Sequence, residues 1–207
     1  MITGVDENPF ITTVTGIRFH LLAPSPLEVD PLDIATALSR APRFAGHTSE
    51  PWSVAQHCLL VAAILHHQGY NEKMQLAGLL HDAAEAYICD VPSPLKWAMD
   101  QQADPTYRRI EKLIEEAIDH ALQPGWLGAP EFARAAIKRA DLIALRTEAK
   151  AFIWSGGQWT TDGEEPFHQS PALALETYRI KLCLAKGLTA MEQYLLSYDV
   201  LTEGAVR

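Results

Sequence analysis

The sequence predicts an all-α fold, a helical bundle with a small β-hairpin near its N-terminus. Apolar residues recur at three- and four-residue spacing over most of the chain. Proline, glycine and short polar residues punctuate these stretches at capping positions. Strand signals are sparse and confined to the first stretch of the chain.

Residues 1–30 are turn-rich, with Pro9, Gly16, Pro24 and Pro26. The run Thr12-Thr13-Val14-Thr15 is β-prone, and with Gly16 and Ile17-Arg18-Phe19-His20 it forms the expected hairpin. Asp30-Pro31-Leu32-Asp33 reads as a helix start, with Asp30 as N-cap and Pro31 at the first helical position. Pro42 ends that helix. After a polar loop over 43–52, Ser53 is the N-cap of a helix from Val54 to His67, whose Val54, Cys58, Val61 and Leu65 form one core-facing stripe. Gly69 closes it, and His66 and His67 suit its negative C-terminal end. A third helix is expected from about Glu72 to Tyr87, and a short one from Leu95 to Met99 after Pro92 and Pro94. Asp104-Pro105 opens a longer helix to about residue 122. Gln123–Ala129 is a loop, and another long helix follows from Pro130 to about Ile153. Residues 155–170 read as a lid-like polar loop, with Trp154 and Trp159 flanking Gly156-Gly157. Pro171 starts a helix to about Lys186, and the amphipathic tail 188–199 adds a last helical stretch.

The length of 207 residues favours one domain over 1–207, large enough to bury a core without disulfides. A net charge of −9 argues against a nucleic-acid polymer as partner, because phosphate contacts need a basic face. It leaves room for a small nucleotide held by a local cation. Cys58, Cys89 and Cys183 are odd in number and form no C-x-x-C pair, which disfavours a disulfide scaffold or a zinc knuckle. The N-terminus lacks the basic and apolar regions of a signal peptide, and no apolar run approaches the roughly 18 residues of a membrane span. A cytoplasmic protein is expected, with no membrane partner.

The residues with chemistry begin at His81-Asp82 in GLLHDAAEAY. Neighbours on a helix point about 100° apart, so both reach one cation only at a helix end or bend. His57, in SVAQHCLLVA, lies on an apolar face with Val54, Val61 and Ile64, where an unsatisfied ring nitrogen costs about 1–3 kcal/mol. Asp141, in AIKRADLIAL, sits beside a core stripe with Ile137 and Ala144, and a buried carboxylate needs a cation. Each has a plainer reading: a hydrogen-bonded core histidine for His57, a chance dipeptide for His81-Asp82, and pairing with Arg139 or Arg146 for Asp141. One divalent ion of the Mn, Co, Fe, Ni or Zn type would satisfy all four at once.

The order H…HD…D, with HD-x-x-E followed by D-x-P-x-P-x-K in LLHDAAEAYICDVPSPLKW and with RADLIALRTEAK, resembles the HD-domain metal-dependent phosphohydrolase superfamily. The closest resemblance is to YfbR-like 5′-deoxynucleotidases and small bacterial and phage HD hydrolases, over a core of about residues 30–153. The resemblance implies an HD-domain helical bundle, one divalent metal ion, a nucleotide substrate and a homodimer. It implies His57, His81, Asp82 and Asp141 as metal ligands and Glu85 as the group that positions or deprotonates the attacking water. Arg43 and Phe44 match an arginine-aromatic pair that contacts the nucleotide, and Asp90 to Ser93 a segment that binds sugar and phosphate. Lys96 can take phosphate charge, or be a solvated lysine; His47 can contact substrate or stabilise its loop. There is no GYP motif, and Ala86 replaces the acidic residue of guanosine-tetraphosphate hydrolases. The expected activity is phosphate release from deoxynucleoside 5′-monophosphates. The alternatives are a deoxynucleoside triphosphate triphosphohydrolase and a non-catalytic HD nucleotide-binding module.

Overall fold

The computed structural model describes residues 8–102, 105–125, 128–153 and 188–205. The loop expected at 155–170 and the helix expected from Pro171 lie outside the described residues, as do Trp154, Trp159 and Cys183. The described chain is helical with a two-stranded antiparallel hairpin, β1 (Phe10–Thr12) and β2 (Arg18–His20). Its helices are α1 (Pro31–Arg40), α2 (Val54–His67), α3 (Glu72–Leu79), α4 (Glu85–Ile88), α5 (Ser93–Gln101), α6 (Thr106–Leu122), α7 (Glu131–Phe152) and α8 (Ala190–Ala205). No helix among the described residues is long and apolar enough to cross a membrane.

Sequence chemistry sets these boundaries. Asp30 caps α1 by accepting from the Leu32 N–H at 2.8 Å, with Pro31 at the first helical position. Ser53 and Gln56 form a reciprocal capping box at the start of α2. The hairpin differs from expectation: residues 13–17 are its turn and the first strand lies earlier. Thr15 is drawn out of pairing because its N–H and hydroxyl both donate to the buried Asp33 carboxylate, at 2.9 and 2.6 Å. Gly16, at φ +87°, makes the reversal without a side-chain penalty.

α2 is the centre of the molecule. The one-sided stripe expected for it is incomplete: every residue from Val54 to Leu65 except Ala63 is buried. The sequence VAQHCLLVAAIL carries apolar groups all round, and α1, α3, α7 and α8 pack about it. α3 lies closest, at Gly78, where an added Cβ would collide with the Leu65 side chain. Phe19 of β2 stacks on Tyr87 of α4, ring centroids 3.6 Å apart, which fastens the hairpin to the helices.

The helix expected over 72–87 is broken. Between α3 and α4, residues 80–84 tighten into turns, with Ala83 N–H donating to Leu80 and Glu85 N–H to Asp82. The His81 ring donates from Nδ1 to the Gly78 carbonyl at 2.8 Å, the acceptor that an unbroken helix would offer to the Asp82 N–H. Tyr194 of α8 donates its hydroxyl to the Leu79 carbonyl at 2.9 Å, satisfying another acceptor at the end of α3.

Candidate metal centre

The break brings His81 and Asp82 to one point, His81 Nε2 lying 3.2 Å from Asp82 Oδ2. His57, in the first turn of α2, aims its Nε2 at the same point, 3.3 Å from His81 Nε2 and 3.5 Å from Asp82 Oδ2. Asp141 of α7 closes the set: its Oδ1 is 3.3 Å from His57 Nε2 and 3.9 Å from His81 Nε2. Its other oxygen accepts from Lys138, three residues earlier on the same helix, at 2.7 Å.

The donor chemistry fits a cation. Both Nδ1 atoms face pure acceptors, the Glu148 carboxylate for His57 at 2.8 Å and the Gly78 carbonyl for His81, so both carry their proton there. Each neutral ring therefore turns an Nε2 lone pair toward the other and toward two carboxylates. That arrangement is repulsive until positive charge enters it, and it is the form in which histidines ligate metals. An ion about 2.0–2.2 Å from each donor holds neighbouring donors roughly 3.0–3.6 Å apart, which the separations of 3.2, 3.3 and 3.5 Å meet and the 3.9 Å from His81 to Asp141 exceeds slightly. Protons answer the same demand. Burial lowers the basicity of both histidines, as does the Arg43 charge at His57, but Glu148 and Asp141 at His57, and Asp82 at His81, more than offset this, and both pKa values stand above the ordinary one. Burial likewise opposes ionisation of Asp82 and Asp141, yet the histidines hold both carboxyls well below the usual range.

Around this centre lie further ionisable groups. Arg43, buried in the turn before Gly46, has Nη1 3.9 Å from Asp82 Oδ2 and 3.5 Å from Asp90 Oδ2, and Nε 3.5 Å from Glu148 Oε2. Phe44 lies against its guanidinium, 5.5 Å from ring centroid to Cζ. To make that turn, Phe44 and Ala45 adopt left-handed backbone at φ 55° and 52°, a conformation that costs about 1–2 kcal/mol per side-chain-bearing residue. Glu85, the first residue of α4, is buried one turn past His81. Burial, then Asp82 and Asp90, push its carboxyl up to about 9. Lys96 on α5 is 3.8 Å from Glu85 Oε1 and 2.8 Å from Glu111 Oε1. Thus Arg43, Glu85, Asp90 and Lys96 gather beside the four candidate ligands. Ser93 and His47 are exposed, and no side-chain contact joins either to the centre.

Two residues at the centre escaped the sequence reading of the site. Glu148 is fully buried behind His57; it lies two turns past Asp141 (i+7) on α7, and that spacing was the available signal. Cys58, read as core, has its Sγ within 4.8 Å of a His81 nitrogen and an Asp82 oxygen. Burial pushes its thiol up to about 11.

Fold and centre together define a helical protein in which His57, His81, Asp82 and Asp141 can hold a metal ion. The chain is 36% identical over 141 residues to the uncharacterized protein YfdR of Escherichia coli strain K12, covering 68% of this chain and 71% of YfdR. It is 34% identical over 142 residues to the uncharacterized protein RCAP_rcc00048 of Rhodobacter capsulatus, covering 66% of this chain and 69% of that protein. The chain belongs to the family of YfdR. No family model matches it.

Proposed function

We propose that the protein is an HD-type, metal-dependent phosphohydrolase acting on nucleotides and releasing phosphate from deoxynucleoside 5′-monophosphates. The observation that carries this reading is the convergence of two histidine Nε2 atoms and two carboxylates, with both Nδ1 atoms already committed elsewhere. A divalent ion at such a centre lowers the pKa of water and draws charge from a phosphoryl oxygen. The rest falls to the chain's own groups. Arg43 and Lys96 supply fixed positive charge beside the centre, against the negative charge that grows on the phosphoryl oxygens. Glu85 has a buried Oε2 with no hydrogen-bond partner among the described residues, so that oxygen is open to orient water, and to accept its proton once a bound cation has drawn the carboxyl into its ionised form. Phe44 offers a ring face to a base, and Asp90 an acceptor to a sugar hydroxyl. Glu148, Asp90 and Glu111 already offset the charge of Arg43 and Lys96, which favours a monophosphate over a triphosphate.

The test is an assay of the purified protein with Mn²⁺ or Co²⁺ against nucleoside mono- and triphosphates. Phosphate release from deoxynucleoside monophosphates is expected. Triphosphate release would move the substrate to deoxynucleoside triphosphates, and no release from any, with metal bound, would leave a binding module. Glu85→Ala should lower turnover by about 10²–10⁴-fold and retain the metal.

A further inference from the structure

The group behind His57 has a chemistry of its own. Glu148 is fully buried on α7, where a lone carboxylate would be strongly disfavoured. Its two oxygens are divided between two partners. Oε1 accepts the His57 Nδ1–H at 2.8 Å, while Oε2 lies 3.5 Å from both Nη2 and Nε of Arg43. His57 comes from the first turn of α2 and Arg43 from the separate turn before that helix, so neither fixes the other through its own helix. We infer that Glu148 is a positioning residue that holds His57 with Nε2 facing the metal centre and, through its second oxygen, ties Arg43 to the same centre. This inference rests on the proposed metal site.

A neutral imidazole has one N–H, and the nitrogen that bears it cannot ligate a metal. A carboxylate accepts but does not donate, so its contact with Nδ1 keeps the proton there and the Nε2 lone pair toward the ion. It also makes the ring a stronger donor, as carboxylates behind metal-bound histidines do. The His57 N–H at 2.8 Å and the Arg43 guanidinium at 3.5 Å together let this carboxylate stay ionised without solvent. The Gly78 carbonyl does the orienting part of this work for His81, but carries no charge. His57 is therefore the ligand whose strength depends on an ionised group.

Glu148→Gln keeps the side-chain volume and removes the charge. Co²⁺ titration of wild type and variant, followed by calorimetry and by the visible cobalt absorption, reads the effect at the centre. The variant should bind Co²⁺ about 10–100-fold more weakly and with a changed spectrum. Unchanged affinity and spectrum in the variant, beside a wild type that binds, would overturn the role of Glu148 and leave the metal site standing. A wild type that binds no Co²⁺ would instead overturn the metal site, and the inference with it. Should the variant not fold, ¹⁵N NMR of the Zn²⁺-loaded wild type decides: a proton on His57 Nδ1 with Nε2 ligated is expected, and the reverse would overturn the inference.

Discussion

Glu85 shows how far a single residue departs from its solution behaviour in this fold. Its carboxyl, pushed up to about 9 by burial, then by Asp82 and Asp90, stays protonated at neutral pH in the metal-free protein. Between the ordinary glutamate value near 4.5 and about 9, the folded state binds a proton that the unfolded chain has released. This group therefore makes stability fall as pH rises across that window. Denaturant unfolding of the metal-free protein from pH 5 to 9 should show the decline, and Glu85→Gln should flatten it. At this scale the sequence was informative where a motif placed residues close along the chain, as with His81, Asp82 and Glu85. Glu148 and Cys58 were missed although the i+7 spacing of Glu148 from Asp141 and the adjacency of Cys58 to His57 were there to read, because only helix packing turns that closeness into contact with the centre. Ser93 and His47 show the converse: closeness in sequence to Asp90 and Arg43 did not bring them to the centre.

Among the elements, capping chemistry made α1 and α2 readable almost to the residue, since Asp30, Pro31 and Ser53 each act locally. The break after Leu79 was not readable as a boundary. GLLHDAAEAY contains no proline, and its only glycine precedes the break. The side-chain bond from His81 to Gly78, supported by Tyr194 from a remote helix, interrupts a sequence that is otherwise helical by propensity. The requirement that an adjacent histidine and aspartate share one cation only at a helix end or bend stood beside an expected helix running unbroken over 72–87, and the break is what reconciles the two. Gly78 therefore serves twice, giving α2 and α3 their close approach and presenting the carbonyl that orients His81. Gly78→Ala should destabilise the protein by about 1–3 kcal/mol through overpacking against Leu65, measured by denaturant unfolding, and weaken Co²⁺ binding with it.

Taken whole, the molecule is a set of helices around α2, and the candidate ligands come from α2, the α3–α4 break and α7. An ion bridging these three segments binds the folded state alone, so Mn²⁺ or Co²⁺ should raise the melting temperature and a chelator reverse the rise. At a free ion concentration a hundredfold above Kd the gain is about 2.7 kcal/mol. The helical class and most element positions were legible because helix periodicity and caps are local signals. The near-complete burial of α2 was less so, because it depends on partners that pack from both ends of the chain. The bond from His57 to Glu148 spans 91 residues. During synthesis His57 emerges long before the carboxylate that holds its proton, and before Asp141. A growing chain that has exposed α2 and the broken α3–α4 segment owns three of the four ligands but no oriented His57. An ion at this centre would therefore meet its full donor set only once α7 has docked on α2.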